Sequence, residues 1–384
     1  MKEPKKKILV FIDWYLPAYK AGGPVRSVAN MIHRLKHEFE FRIVTSDRDL
    51  HDSQPYPGIA LNKWINAPDG TTVRYLDHKN QSYSNIRKIM YEERADFIYL
   101  NSLYSKNFSL IPLLVRKRYF PHRKVILACR GMLGSGAMKN KKGKKRLFIT
   151  AARILGLFNN IRWQSTSEQE SRDIAANFGR QSIVNLVPNL TEPMPESYAL
   201  PDKQAGTLRM AYVARIAPMK NIELILKILS DLPPEDKVIF DIYGAIDDKS
   251  YWDKCSKYIT VLPPHVEVTY RGTLPHDRVK ELWSDYHVSV LLTFNENFGH
   301  SILESLAAGV PVIISRYTPW HGLTPAKAGY DLPLEDESAI TEAVRHFVSM
   351  GNDEIQEWSR GARQYAANII DDTAQIEKYR KLFS

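Results

Sequence analysis

The chain alternates short β-branched apolar runs with stretches of helical period, and it does so twice over. In the first half "KILVFIDWYL", "FRIVTS", "DFIYLNS", "KVILACR" and "RWQSTS" have the length and composition of buried strands. "VRSVANMIHRLKHE" and "EQESRDIAANFG" between them carry apolar residues at helical spacing. After Gly206 the alternation restarts with "LRMAYVAR", "VIFDIYG", "VEVTYRG", "HVSVLLT" and "VPVIIS", separated by helical stretches such as "NIELILKILSDL". Strands alternating with helices require a parallel sheet covered on both faces, so the expected class is α/β. Residues 185–206 are rich in proline and polar residues and lack a helical period, which makes them the expected linker. The expectation is two doubly wound, Rossmann-like domains facing a central cleft, with domains at 1–190 and 191–365 and a C-terminal helix 366–384 returning to the first.

Doubly wound sheets bind ligands at the carboxyl ends of their strands, so the residues just past each strand carry the functional information. The densest such segment is "TFNENFGHSILESLAAGVPVIIS", Thr293 to Ser315. A loop follows the strand Val288–Leu292, a helix begins near His300 with Ile302, Leu303, Leu306 and Ala307 on one face, and Gly309 with Pro311 ends it. Glu296 falls on the loop and Glu304 inside the helix, while free N–H groups near Phe298, Gly299, His300 and Ser301 suit an anion. In "ARIAPMKN", Arg215 and Lys220 lie past another strand and before a helix that Asn221 could cap. A planar guanidinium and an ammonium at that mouth suit a diphosphate. Gly22 and Gly23, between the first strand and a helix, would permit close approach to a phosphate or sugar, without the G-x-G-x-x-G pattern of dinucleotide sites.

Composition excludes several classes. No stretch approaches the eighteen apolar residues of a membrane span, and the lysine-led N-terminus has too short an apolar run, interrupted by Asp13, to act as a signal peptide. Cys129 and Cys255 have no pairing or metal-ligand spacing, in keeping with a reducing cytoplasm. The net charge of +10 asks for an acidic partner. Its densest run, Lys139 to Arg146, is expected as a basic loop that is either solvated or touches nucleic acid, an anionic lipid surface or a phosphorylated substrate. No nucleic-acid-binding signature accompanies it.

Together these motifs resemble the retaining GT-B glycosyltransferases of family 4. "NENFGHSILESLAAGVPVI" is similar to the family's donor-site motif, two glutamates separated by seven residues, and "ARIAPMKN", "RGML", "STSEQES", "VPNL" and the early "GGP" follow in the family's order. The resemblance implies that Glu304 binds the ribose hydroxyls of a nucleotide-sugar, that Glu296 binds the transferred sugar, and that Arg215 and Lys220 hold the diphosphate. It further implies that Phe298, Gly299, His300 and Ser301 lie on the donor and that Gly22 and Gly23 face it. It implies a saccharide or lipid-linked saccharide acceptor in surface polysaccharide synthesis, no cofactor and no obligatory metal, and work in the cytoplasm or at the inner membrane face. Where relatives commonly place a first-domain histidine this chain has Asn101, so Asn101 and Arg130, with Lys144 and Lys145 from the basic run, are the acceptor-side candidates. Three rival readings remain at this point: a nucleotide-sugar epimerase on the same scaffold, a non-catalytic basic binding protein, and a metal-dependent transferase using Asp47 and Asp49 as a D-x-D pair.

Overall fold

The computed structural model describes residues 4–67, 70–134, 142–370 and 373–384. The chain divides into two units, residues 1–191 with 373–384, and residues 192–372.

The first unit is built on strands β1 (Lys7–Phe11), β2 (Glu40–Ser46), β3 (Trp64–Asn66), β4 (Thr72–Leu76), β5 (Phe97–Leu100), β6 (Lys124–Ala128), β7 (Arg162–Ser165) and β8 (Ile183–Leu186). They form one sheet in the order β3-β4-β2-β1-β5-β6-β7-β8. Every pair is parallel except β3 with β4. The four residues of β5 are all buried, as befits a strand covered on both faces. The second unit has β9 (Thr207–Val213), β10 (Lys237–Tyr243), β11 (Val266–Gly272), β12 (Val288–Leu291), β13 (Val312–Ser315) and β14 (Gly329–Leu332), in an all-parallel sheet ordered β11-β10-β9-β12-β13-β14.

The strand order has a direct consequence for function. In the second sheet the winding reverses between β9 and β12, so the chain leaves these neighbouring strands toward opposite faces and the loops that follow them meet at their carboxyl ends, where such sheets bind ligands. The loop after β9 holds Arg215 and Lys220; the loop after β12 holds Glu296. The first sheet reverses in the same way between β1 and β5, whose following loops carry Gly22 with Gly23 and Asn101.

The C-terminal helix Thr373–Leu382 packs on the first unit. Tyr379, Leu382 and Phe383 enter its core, and the Phe383 ring lies 5.3 Å from that of Phe39 and 5.9 Å from that of Phe97. Residues 366–370 behave differently from the expected boundary: they end the long helix Asn352–Ile370, where Ala366 and Ile370 are buried in the second unit's core.

Three other expectations need correction. The linker starts later than residue 185, because Asn185 and Leu186 complete β8, an edge strand whose Ile183 and Leu186 stay exposed and so lack the two-sided apolar pattern. The basic run is not simply a loop. Its described part opens the helix Lys142–Ile154, which Ile149 and Ala152 anchor to the core; Lys139, Lys141 and the side chains of Lys142 and Lys144 lie outside the described residues. Asn221 precedes the helix Ile222–Ser230, but in left-handed conformation (φ 52°) and without a side-chain capping bond.

Candidate functional site

In the second unit, Lys220 and Glu296 form an ion pair of 2.5 Å between the loops after β9 and β12. Lys220 ends a single 3-10 turn, Pro218–Lys220, to which the second loop is laced. The Phe294 N–H and the Thr293 hydroxyl both donate to the Met219 carbonyl at 2.9 Å. On the other side the Glu296 N–H donates to the Tyr317 carbonyl at 2.9 Å, beyond β13. Both side chains of the pair are about five-sixths buried, with relative exposures of 16% and 17%. Burial pushes the Glu296 carboxyl upward, but the Lys220 ammonium and the N–H groups of Phe298 and Asn297 outweigh it, and the net result lies below the usual carboxylate range.

Gly299 then turns the chain into the helix His300–Ala307 with φ 79°, a left-handed value that favours glycine. A Cβ there would stand 2.9 Å from Ile302 Cδ1, 3.1 Å from Glu296 Cγ and 3.2 Å from the Trp320 indole nitrogen. Ser301 follows on the first turn and Glu304 on the next, both partly buried. The Phe298 ring packs against His300 (4.7 Å between centroids) and edge-on to Trp320 (5.1 Å). Phe298 and Gly299 are themselves buried, so they shape this helix start from beneath.

Arg215 takes a different partner from Lys220. Its guanidinium bonds Asp247 at 2.6 Å, past the end of β10, and remains 43% exposed. Gly244 is what lets this corner close. Its backbone approaches Ala214 so tightly that a Cβ would lie 1.9 Å from the Ala214 carbonyl oxygen and 3.3 Å from the Arg215 nitrogen. Neither Gly244 nor Asp247 was singled out by the sequence, where "YGAID" carries no pattern beyond a strand end.

In the first unit the structure joins Asn101 to Arg130. The Arg130 Nε donates to Asn101 Oδ1 at 2.6 Å, one terminal nitrogen donates to Asn189 Oδ1, and the other to the Tyr99 hydroxyl at 2.8 Å. Arg130 has left-handed backbone (φ 53°), and the next N–H, of Gly131, donates to Glu170 at 2.6 Å. Tyr99 passes the network to Gln164, which donates to Tyr379 of the C-terminal helix. Asn101 also donates to the Pro24 carbonyl at 3.4 Å, tying it to the glycine turn. Gly22 (φ 68°) precedes the helix Gly23–Leu35, and the preceding loop is held by Asp49, which accepts from the N–H groups of Tyr19 (2.8 Å) and Lys20 (3.1 Å). Asp47 is occupied by Arg48 at 2.8 and 3.1 Å. These carboxylates serve as loop clamps, so the D-x-D pattern has a structural use here. Lys145 lies with its ammonium 5.3 Å from the Tyr104 ring centroid, and the side chain of Lys144 is outside the described residues.

In the first unit the residues that sequence reasoning missed are Asn189, Glu170 and Asp13. Asn189 and Glu170 sit inside the recognised "VPNL" and "STSEQES" segments, which gave the signal without the role. Asp13, just past β1, accepts from the Ser105 hydroxyl at 2.7 Å, and burial raises its carboxyl's pKa more than that bond lowers it.

Residues 199–365 match the family model described as "Glycosyl transferases group 1". Among curated proteins, the GtfA subunit of a UDP-N-acetylglucosamine–peptide N-acetylglucosaminyltransferase from Streptococcus pneumoniae is 22% identical over 184 residues, 47% of this chain and 32% of that one. O-antigen chain mannosyltransferase B of Escherichia coli is 27% identical over 111 residues, 28% of each chain. The match thus spans about a third or less of either relative's length. Among solved structures, Anabaena HepE in complex with UDP and glucose superimposes with a TM-score of 0.72 at 13% identity, over 98% of this chain and 99% of that one. At such identity the likeness shows the fold alone, and that fold is GT-B.

Proposed function

We propose that this chain, whose second unit carries a Glycosyl transferases group 1 domain, transfers a sugar from a nucleotide-sugar to a saccharide or lipid-linked saccharide acceptor, retaining the anomeric configuration and needing no metal. The observation that carries the reading is the Lys220–Glu296 pair, held at the sheet's switch point beside a helix start that bears Glu304 one turn on.

In the reaction the bond from the anomeric carbon to the diphosphate oxygen breaks, and its electron pair stays on that oxygen. The acceptor hydroxyl oxygen bonds the anomeric carbon, and its proton passes to the departing diphosphate. Negative charge therefore grows on the leaving group. Lys220 and Arg215 are cations placed in advance for it, and pre-oriented charge in a partly dry site costs no reorganisation as the bond breaks. Lys220 would exchange part of its contact with Glu296 for the phosphate, while Glu296, held ionised, accepts from hydroxyls of the moving sugar. Glu304 would accept from the ribose hydroxyls. On the acceptor side, Arg130 orients Asn101, a polar amide where a histidine is usual, and Gly22 leaves the backbone open. Nothing lies within 4 Å of where a Cβ would be at that glycine. The relatives, a UDP-N-acetylglucosamine–peptide N-acetylglucosaminyltransferase and an O-antigen mannosyltransferase, and HepE in complex with UDP and glucose support the donor class.

Two measurements test the finer claims. Excess chelator is expected to leave turnover within about twofold of the untreated rate, since lysine and arginine already supply the positive charge. Loss of turnover on chelation, restored by manganese, would refute metal independence. Proton NMR of the product should show the donor's anomeric configuration at the new linkage, and the inverted anomer would refute retention.

A further inference from the structure

Between Asp96 and Glu168 the sequence contains fifteen lysine and arginine residues and not one aspartate or glutamate. With a whole-chain charge of +10, the rest of the protein is therefore net acidic, and the positive charge belongs to one part of the first unit. Within that span the helix Lys142–Ile154 carries apolar residues on its outer side as well as on its inner one. Ile149 and Ala152 face the core. Leu147 and Ile154, with Leu155 just past the helix end, point outward at relative exposures of 72%, 81% and 60%. Arg146 and Arg153 flank them, also exposed. The patch continues onto the helix Ile111–Tyr119, because Lys117 donates to the Leu155 carbonyl. By helical spacing, the exposed Leu114 and Arg118 share the face of Lys117.

Large aliphatic side chains exposed together are uncommon on a water-facing helix and mark an interaction surface. The chemistry of the occupant follows from what surrounds them. A nucleic acid or an acidic polysaccharide would satisfy the arginines but leave Leu147, Ile154 and Leu155 in water. A neutral protein groove would satisfy the leucines but leave the uncompensated charge. An anionic bilayer satisfies both, with aliphatic side chains at the acyl boundary and arginines among lipid phosphates. Among the described residues no helix is long and apolar enough to cross a membrane, so the contact would be peripheral.

We infer that this face, Leu147, Ile154 and Leu155 framed by Arg146, Arg153 and Arg118, docks the protein on an anionic lipid surface by shallow insertion. The inference is independent of the transfer reaction, because its test measures no turnover. The whole chain is sedimented with phosphatidylcholine vesicles with and without phosphatidylglycerol, at low and high salt. Three proteins are compared: native, Leu147→Ser/Ile154→Ser/Leu155→Ser, and Arg146→Gln/Arg153→Gln, each checked by its melting curve. The native chain is expected to bind the anionic vesicles. The serine variant should bind at least about tenfold more weakly at both salt concentrations, and the glutamine variant more weakly mainly at low salt, where screening is least. Absence of native binding overturns the inference. So does equal vesicle binding by the native and serine proteins, which would mark a polyanion surface that needs no insertion.

Discussion

Lys220→Ala is expected to lower kcat/KM about a hundredfold, through loss of a charge-assisted contact worth roughly 1.5 to 3 kcal/mol at the leaving diphosphate together with disorder of Glu296. It should also lower stability by about 3 kcal/mol, because removing one partner of a largely buried pair strands the other. The carboxyl of Glu296 is held below its ordinary range by Lys220, against its burial. Its contribution to stability is therefore fully present above the unfolded carboxylate's pKa and fades as pH falls through the lower folded-state value. In Lys220→Ala that acid-side loss should shrink. Lys227→Ala is the control: its 2.7 Å pair with Glu337 is about half exposed on both sides, and such pairs contribute little. Equal kinetics and melting in the two variants would remove Lys220 from the site.

Gly244→Ala is expected to have the larger effect on folding of any single methyl added near the site. The new Cβ would meet backbone, 1.9 Å from the Ala214 carbonyl oxygen and 2.7 Å from its carbon, which no rotamer can relieve. The ends of β9 and β10 would have to part, taking Arg215 with them. A cost of about 3 kcal/mol or more is expected, in the range of severe substitutions, along with reduced donor affinity. Gly272→Ala separates clash from backbone strain. Gly272 also has positive φ, 80°, but nothing lies within 4 Å of its Cβ position, so about 1 kcal/mol is expected. Similar melting temperatures for the two variants would mean that the Gly244 contact is not tight in solution.

The two doubly wound sheets were legible because strands covered on both faces must be nearly all apolar, and β1, β5, β12 and β13 are. Edge strands escaped the same logic. The edge strand β3 exposes Asn66, its neighbour β4 carries Arg74, and the edge strand β8 leaves two apolar residues in water. Candidate positions stood out where a strand end, a glycine and charged side chains coincide, as at Glu296 and Lys220, which the structure brings together as an ion pair. What spacing could not supply was pairing. That Lys220 faces Glu296 while Arg215 turns to Asp247 depends on which loops the switch point brings together. Likewise Asn101 and Arg130 were separate candidates in sequence, and only the adjacency of β5 and β6 shows that they hydrogen-bond. The helix at 142–154 was hidden behind its lysines, since charge density dominates a run whose apolar positions begin just after it.

The central claim is that the second unit holds a nucleotide-sugar on Lys220, Glu296 and Glu304. Isothermal titration calorimetry with a panel of nucleoside diphosphates and their sugar conjugates tests it most directly, using the native chain, Lys220→Ala and Glu304→Ala. The account predicts that one nucleotide binds the native protein at a single site, that Glu304→Ala weakens nucleoside diphosphate and sugar conjugate alike, and that Lys220→Ala weakens both by about tenfold or more. Binding of no nucleotide, or binding of equal strength in all three proteins, would contradict it.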